Sequence, residues 1–357
     1  RRWAMAAVTA EAEASPAAFS TTGGAQIRQP ASAVAVATEV LSVPGADRSN
    51  PAWSAISSRA IMPSDLDLRS LRIGVLLNTS SGSCDVSTRG ATLSVLETAK
   101  VEPVQVWDVV GKGVDRALDE ATESGLDVLI VLGGDGTIRA AAQRCEAGGP
   151  LLMPLPGGTM NMLPKALYGA RTWREALTDT LAAPIVQAVH GGQVGSHRFY
   201  VAGVFGGASL FAEAREAIRD GDLPAAWEQG VAALKQALGA ELGYRFEGQS
   251  ASKAEAVVVL CPLPPPETDG EVLLEAAAID VDGAGDAIRL AVMSAFRGWR
   301  TDETVTRAHL ESLEIASSRP IPAILDGERF TLSRSERVTR VRGAFYALKP
   351  APPVWSA

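Results

Sequence analysis

Apolar positions along the chain fall into two regimes that meet near Pro184. Between Leu71 and Leu181, short strand-like runs alternate with stretches in which apolar residues recur every three or four positions. The runs are Arg72–Leu77, Val104–Val110, Val128–Leu132 and Leu151–Leu155. Val128–Leu132 is unbroken, rich in β-branched residues and bounded by glycines, which predicts a strand buried on both faces of a parallel sheet. Thr88–Lys100 carries Leu93, Leu96 and Ala99 on one stripe, and Val114, Leu118 and Ala121 mark a second amphipathic helix. Ile138–Cys145 and Met160–Tyr168 complete the set, the latter followed by Gly169 in the position of a C-terminal cap. Strand and helix in regular alternation predict a parallel sheet with right-handed crossovers.

Beyond Pro184, strand patterns dominate. Val186–Val189 and Phe199–Val204 flank a Gly-rich turn and predict a hairpin. Ala256–Leu260, Val272–Val281 and His309–Ala316 predict further strands. Ser209–Arg219 and Pro224–Leu238 predict helices, and Leu290–Trp299 is ambiguous, with a helix one option. Ile321–Leu325 and Arg329–Leu332 enclose Asp326-Gly327, a dipeptide that suits a two-residue hairpin turn. Few crossover helices among many strands suggests a sandwich-type second domain. Residues 1–68, rich in Ala, Ser, Thr, Pro and Gly, are expected to be a disordered tail or leader without the compact apolar run of a secretory signal.

The chemistry concentrates at the ends of the first-regime strands. Gly133-Gly134-Asp135-Gly136-Thr137 follows one strand and opens a helix. Glycines permit a sharp turn and close approach of a ligand, and the helix start turns free N–H groups and a positive dipole end outward. Asp135 would repel phosphates there unless it held a bridging cation, so the turn suggests a nucleotide with Mg²⁺. Thr137 is expected to cap the helix. Pro156-Gly157-Gly158-Thr159-Met160-Asn161 repeats the arrangement one strand later, with Thr159 as the expected cap. A lone glycine-rich turn is more often an ordinary strand-to-helix connection. An acidic residue within it and a second Gly-Thr-x-Asn corner nearby favour a site at the carboxyl edge of the sheet. Asn78-Thr79-Ser80-Ser81-Gly82 ends the first strand with small polar residues that suit either a plain loop or phosphate contact.

Composition narrows the field. A chain of 357 residues accommodates two domains, and 46% hydrophobic residues support filled cores. A net charge of −8 argues against nucleic acid as a main partner. Cys84, Cys145 and Cys261 lie far apart and form no C-x-x-C, which speaks against disulfides or a zinc site and suits a reducing compartment. His190, His197 and His309 are equally scattered and suit surface or loop positions. No apolar run approaches the length of a membrane span. Arg334, Arg337, Arg340 and Arg342 form either a solvated basic strand face or a contact for anionic lipid head groups.

The two glycine corners resemble the catalytic domain of the diacylglycerol kinase family, which includes soluble bacterial lipid kinases and the sphingosine and ceramide kinases. The family's Asn-Pro-x-Ser-Gly turn is matched by Asn78, Ser81 and Gly82, with Thr79 in place of the proline. Its late Asp-Gly-Glu motif is matched by Asp326, Gly327 and Glu328. The resemblance implies an α/β nucleotide-binding domain with a parallel sheet over 69–182, followed by a β-rich, sandwich-like lipid-substrate domain over 183–357. It implies an ATP- and Mg²⁺-dependent lipid kinase, with diacylglycerol first among acceptors, working from the cytoplasm at the inner membrane face.

Gly133, Gly134, Gly136, Thr137, Gly158 and Thr159 would hold the phosphates, with Ser81 and Gly82 beside them. Asp135 would hold Mg²⁺, Asn78 and Asn161 would orient nucleotide or support the turns, and Asp326 or Glu328 would be the base. The acidic residues of Asp220–Asp222 and Asp280–Asp286 give no clear match to the family's structural metal site. The competing readings are an NAD kinase-like enzyme, which shares the Gly-Gly-Asp-Gly turn, and a non-catalytic lipid- or nucleotide-binding protein on the same fold.

Overall fold

The computed structural model describes residues 66–82, 84–85, 87–146, 148–206, 242–263, 272–279 and 305–352. The predicted alternation is present in the first half: β1 (Ile73–Asn78), α1 (Thr88–Thr98), β2 (Gln105–Val109), α2 (Val114–Glu123), β3 (Val128–Gly133), α3 (Asp135–Arg144), β4 (Leu151–Pro156), α4 (Met162–Tyr168) and α5 (Trp173–Ala182). β2, β1, β3 and β4 lie side by side in that order, all parallel. β3 and β4 are buried at every residue, which is why their sequences run apolar without alternation. Because the strands are parallel, Asn78, Gly133 and Pro156 end on one edge of the sheet, where the polar turns begin.

The second half supplies β5 (Pro184–Val194), β6 (His197–Phe199), β7 (Ala202–Gly206), β8 (Leu242–Phe246), β9 (Ser252–Ala254), β10 (Ala256–Leu260), β11 (Leu274–Ile279), β12 (Val305–Leu310), β13 (Ser312–Ala316), β14 (Ile321–Leu325), β15 (Glu328–Leu332) and β16 (Ser335–Pro350). β12, β11, β10, β7, β14 and β15 form an antiparallel sheet in that order. The stretch expected as one strand over His309–Ala316 is divided. Leu310 ends β12 in this antiparallel sheet, while Ser312 begins β13 in the larger one. The expected helices Ser209–Arg219 and Pro224–Leu238, the ambiguous Leu290–Trp299, the acidic runs Asp220–Asp222 and Asp280–Asp286, and the tail over 1–65 lie outside the described residues.

Two cores result. Ile73, Leu76, Leu129, Ile130, Leu132 and Met153 anchor the first. Phe199, Phe205, Tyr244, Phe246, Leu313 and Ile315 anchor the second. β10 belongs to both: Val258 and Leu260 face the first core, Val257 and Val259 the second. An antiparallel strand with one wet face would alternate; this one is covered on both faces and reads Ala-Val-Val-Val-Leu. The sandwich expected from the sequence is the antiparallel sheet packed on the distal part of the larger one.

β16 joins the cores. Its first half pairs with β13 and places Val338 in the second core. It runs against β5 on both sides of a bulge that contains Gly343, whose φ is +49°, and beyond the bulge it meets β4 at Ala347–Leu152. Phe345, Ala347 and Leu348 thus enter the first core. Tyr168 of α4 donates its hydroxyl to the Leu348 carbonyl at 2.8 Å, fixing the strand to the α/β layer.

Candidate active site

Three strand ends meet at the carboxyl edge, and their side chains tie them into one surface. Asn78 at the end of β1 donates through Nδ2 to Thr137 Oγ1 at 2.9 Å and accepts the Ser80 N–H at 3.1 Å. Ser81 Oγ accepts the Gly134 N–H at 2.9 Å. Gly157 donates its N–H to the Gly133 carbonyl at 2.9 Å, bringing the second corner against the first. A Cβ at Gly158 would stand 2.7 Å from Gly134 Cα, so this glycine is required for the close approach of two backbones. A Cβ at Gly82 would lie in ordinary contact with Thr159 Oγ1, at 3.8 Å.

Asp135 links the corners in a way the sequence reading did not foresee. It is the first helical residue of α3, not a turn residue, and Gly134 is the N-cap. Its Oδ2 accepts the Asn161 N–H at 2.8 Å and its Oδ1 the Met162 N–H at 2.6 Å. The carboxylate therefore satisfies two donors at the start of α4. Asn161, not Thr159, is the cap residue of that helix. It adopts φ +51°, and its side-chain amide closes the corner by accepting the Gly158 N–H and donating to the Gly158 carbonyl, both at 2.7 Å. Asparagine tolerates this left-handed conformation better than most residues.

Thr137 is likewise not the cap expected from sequence. It lies buried at the third helical position, and its hydroxyl accepts from Asn78. The N–H groups of Gly134 and Gly158 are engaged within the protein. Those of Asp135, Gly136 and Thr137, in the first turn of α3, have no intrahelical acceptor by helix geometry and could receive an anion.

The late hairpin brings the second half of the chain to this surface. Asp326 and Gly327 take φ +47° and +87°, the paired positive values of a tight turn between β14 and β15. The two carboxylates expected together at its tip separate. Asp326 is only 3% exposed. Its Oδ2 accepts the Tyr200 N–H at 2.6 Å, and its Oδ1 accepts those of Val201 and Ala202 at 2.9 Å each. Burial pushes its carboxyl up to about 6, against the opposing pull of the three N–H donors and the Arg139 charge.

Glu328 instead reaches out to the first turn of α3. Its Oε1 occupies the space a side chain at 136 would fill, so Gly136 admits a carboxylate from within the chain. Its Oε2 forms an ion pair with Arg139 Nη2. Arg139 stands one helical turn after Asp135, with its side chain 15% exposed and its guanidinium 5.0 Å over the Phe330 ring. Arg139 is absent from the sequence-predicted set. Its i+4 spacing from Asp135 placed it on the same helix face, but nothing in the sequence marked the hairpin as its partner.

Among the described residues no group of His, Cys, Asp and Glu is arranged to hold a metal by itself. Each oxygen of Asp135 accepts one N–H and retains a lone pair, a donor set that fits a hydrated ion shared with phosphates, as Mg²⁺ prefers, and not an all-protein cage. The histidines lie on strands, not in loops; His190 Nδ1 accepts the Gly343 N–H at 2.9 Å and supports the bulge of β16. Three arginines of the stripe, Arg337, Arg340 and Arg342, are paired within the sheet. Glu314 binds both Arg337 and Arg245, and Glu311 binds Arg342 and, through both its oxygens, Arg340. Among the described helices none is long and apolar enough to cross a membrane.

A helix start with anion-facing N–H groups, a carboxylate beside it and a second carboxylate arriving from another layer can hold an anion and accept a proton next to it. Comparison with known proteins gives the same direction. The family model of the diacylglycerol kinase catalytic domain matches residues 72–194, which bears out the resemblance carried by the turns. A crystal structure of a diacylglycerol kinase from Bacillus anthracis str. Sterne superposes with a TM-score of 0.54 at 16% identity, covering 80% of this chain and 99% of that one. Two structures of a candidate diacylglycerol kinase from the same organism give 0.58 and 0.57, each at 18% identity with the same coverage. At such identities these likenesses establish the fold: an α/β layer with a mostly parallel sheet, followed by a β-rich layer.

Proposed function

We propose that this chain, whose residues 72–194 match the diacylglycerol kinase catalytic domain, is an ATP-dependent lipid kinase that transfers the γ-phosphoryl group to a lipid hydroxyl, diacylglycerol first. The observation that carries the reading is the meeting of Glu328 with the first turn of α3 at Gly136. It brings a carboxylate of the β-rich layer to the first turn of α3, which supports reading Glu328 as the base.

In this reading the N–H groups of Asp135, Gly136 and Thr137 bind phosphate oxygens, and the ties among Asn78, Ser81, Thr137, Gly158 and Asn161 hold those groups in place. Bound Mg²⁺ would neutralise charge on the phosphates, and Asp135 would hold it through water. Glu328 takes the proton of the attacking hydroxyl while the bond from the γ-phosphorus to the bridging oxygen breaks and ADP leaves. Glu328 is favoured over Asp326 as the base, because Asp326 is buried with both oxygens engaged by backbone donors. Asp326 fixes the hairpin against Tyr200, Val201 and Ala202. The enzyme visits the inner face of the membrane from the cytoplasm.

The test is an acceptor panel with γ-labelled ATP and Mg²⁺: diacylglycerol, monoacylglycerol, sphingosine, ceramide, phosphatidylglycerol and NAD. Label in phosphatidic acid is the expected result. Transfer to NAD alone overturns the lipid assignment, and transfer to sphingosine but not diacylglycerol overturns the acceptor ranking. ATP binding without transfer to any acceptor returns the chain to a binding protein.

A further inference from the structure

The contact between α3 and the hairpin contains more than the two carboxylates require. Arg139 is mostly buried although a surface helix could have turned it to water. Its guanidinium has three engagements or constraints at once. Nη2 pairs with Glu328 Oε2, the group plane stands over Phe330 at 5.0 Å, and Nε is buried with no hydrogen-bond partner. Phe330 in turn packs against His197 of β6, ring centroids 4.5 Å apart. An arginine that leaves one donor unsatisfied is held by its other contacts. Those contacts all lie on β15, so Arg139 is committed to the strand that carries Glu328.

We infer that Arg139 is the positioning residue for Glu328: it seats the hairpin carboxylate in the notch left by Gly136, one turn along the helix whose first N–H groups face the anion. The guanidinium's planar fork fixes the carboxylate's direction and not just its proximity. Phe330 fixes the guanidinium from above. The pair makes the acceptor side of the cleft and the phosphate side a single unit, so that Glu328 arrives oriented when substrate does. Gly136 completes the device, because any side chain at 136 would take the place of Glu328 Oε1.

The inference rests on the kinase reading for its catalytic consequence, but not for its structural one, and two measurements separate these. The first is hydrogen exchange at the hairpin amides in the wild type, Arg139→Met and Arg139→Lys, with no nucleotide present. Seating by Arg139 predicts exchange faster by about tenfold or more at Glu328–Leu332 in Arg139→Met, with the distant strands β8 and β9 unchanged. Arg139→Lys, which keeps the charge but not the fork, is expected to lie between and serves if the methionine variant does not fold. Unchanged hairpin exchange in either variant overturns the inference, whatever the activity.

The second measurement is a double-mutant cycle on lipid-kinase turnover. Arg139→Met and Glu328→Gln are each expected to lower kcat by about tenfold or more, with ATP affinity by calorimetry changed by less than about threefold. A residue that acts only through Glu328 adds nothing once Glu328 is gone, so the double variant should match the worse single one. Multiplying losses overturn the positioning role, and so does an Arg139→Met defect confined to ATP affinity. A wild type without transfer to any lipid overturns the kinase reading, and the exchange experiment then decides the seating alone.

Discussion

Asp326 is the residue on which opposing influences act most strongly. Desolvation raises its carboxyl to about 6 from the ordinary 3.8, while three backbone donors favour the ionised form. Because the folded state holds this proton more tightly than the unfolded one, stability contributed by the site is greatest at low pH. It falls as pH rises from about 4 to about 6, by roughly 3 kcal/mol. Asp326→Asn should remove that slope in urea titrations run across this window. It should also cost about 2–4 kcal/mol at pH 7, since an amide offers one acceptor oxygen to three N–H groups.

At Asp135 the same logic changes what an Asn substitution tests. Asp135→Asn removes a charge at the proposed phosphate site but also one of the acceptors for Asn161 and Met162. We expect turnover to fall by about a hundredfold or more and stability by about 1–3 kcal/mol, read by activity at saturating Mg²⁺ and by thermal unfolding. Gly158→Ala presses a methyl group on Gly134 Cα. It should weaken ATP binding by about tenfold or more in calorimetry while costing about 1–3 kcal/mol of stability. The sequence marked every one of these positions, because turn chemistry is local. It could not reveal that Asp135 is committed to another helix start, nor that Gly136 makes room for a residue far along the chain, because both are contacts between distant segments.

At the scale of elements, β16 shows charge pairing that the sequence could not reveal. Its arginines suggest a basic face, and Arg337 and Arg342 are indeed exposed, but the register sets Arg337 and Arg245 opposite Glu314. Arg340, with its side chain 2% exposed, binds Glu311 and the Val272 carbonyl. Arg340→Ala should therefore cost about 2–4 kcal/mol in denaturant unfolding, against about 0.5–1 kcal/mol for the exposed Arg337→Ala. β3 and β4 were legible because burial on both faces writes itself as a continuous apolar run, and the Asp326-Gly327 hairpin because its turn type favours those residues. The division of 309–316 was not, since Glu311 interrupts the pattern by one residue, while the change of sheet there is set by partners elsewhere. β10 runs apolar throughout because it is covered on both faces, although its setting is antiparallel.

At the scale of the molecule, the α/β layer is not closed by its own segment. Its core takes Phe345, Ala347 and Leu348 from β16, and β4 has its outer neighbour there. A fragment of residues 66–182 should accordingly lack a cooperative thermal transition and bind a hydrophobic dye, whereas 66–352 should unfold in one step; calorimetry distinguishes them. The Tyr168–Leu348 bond spans 180 residues of sequence. Closing so long a loop carries an entropy cost that must be met before the first core is complete. During synthesis the glycine turns that follow β3 and β4 are made well before β16, and β4 keeps an unpaired edge until that strand follows.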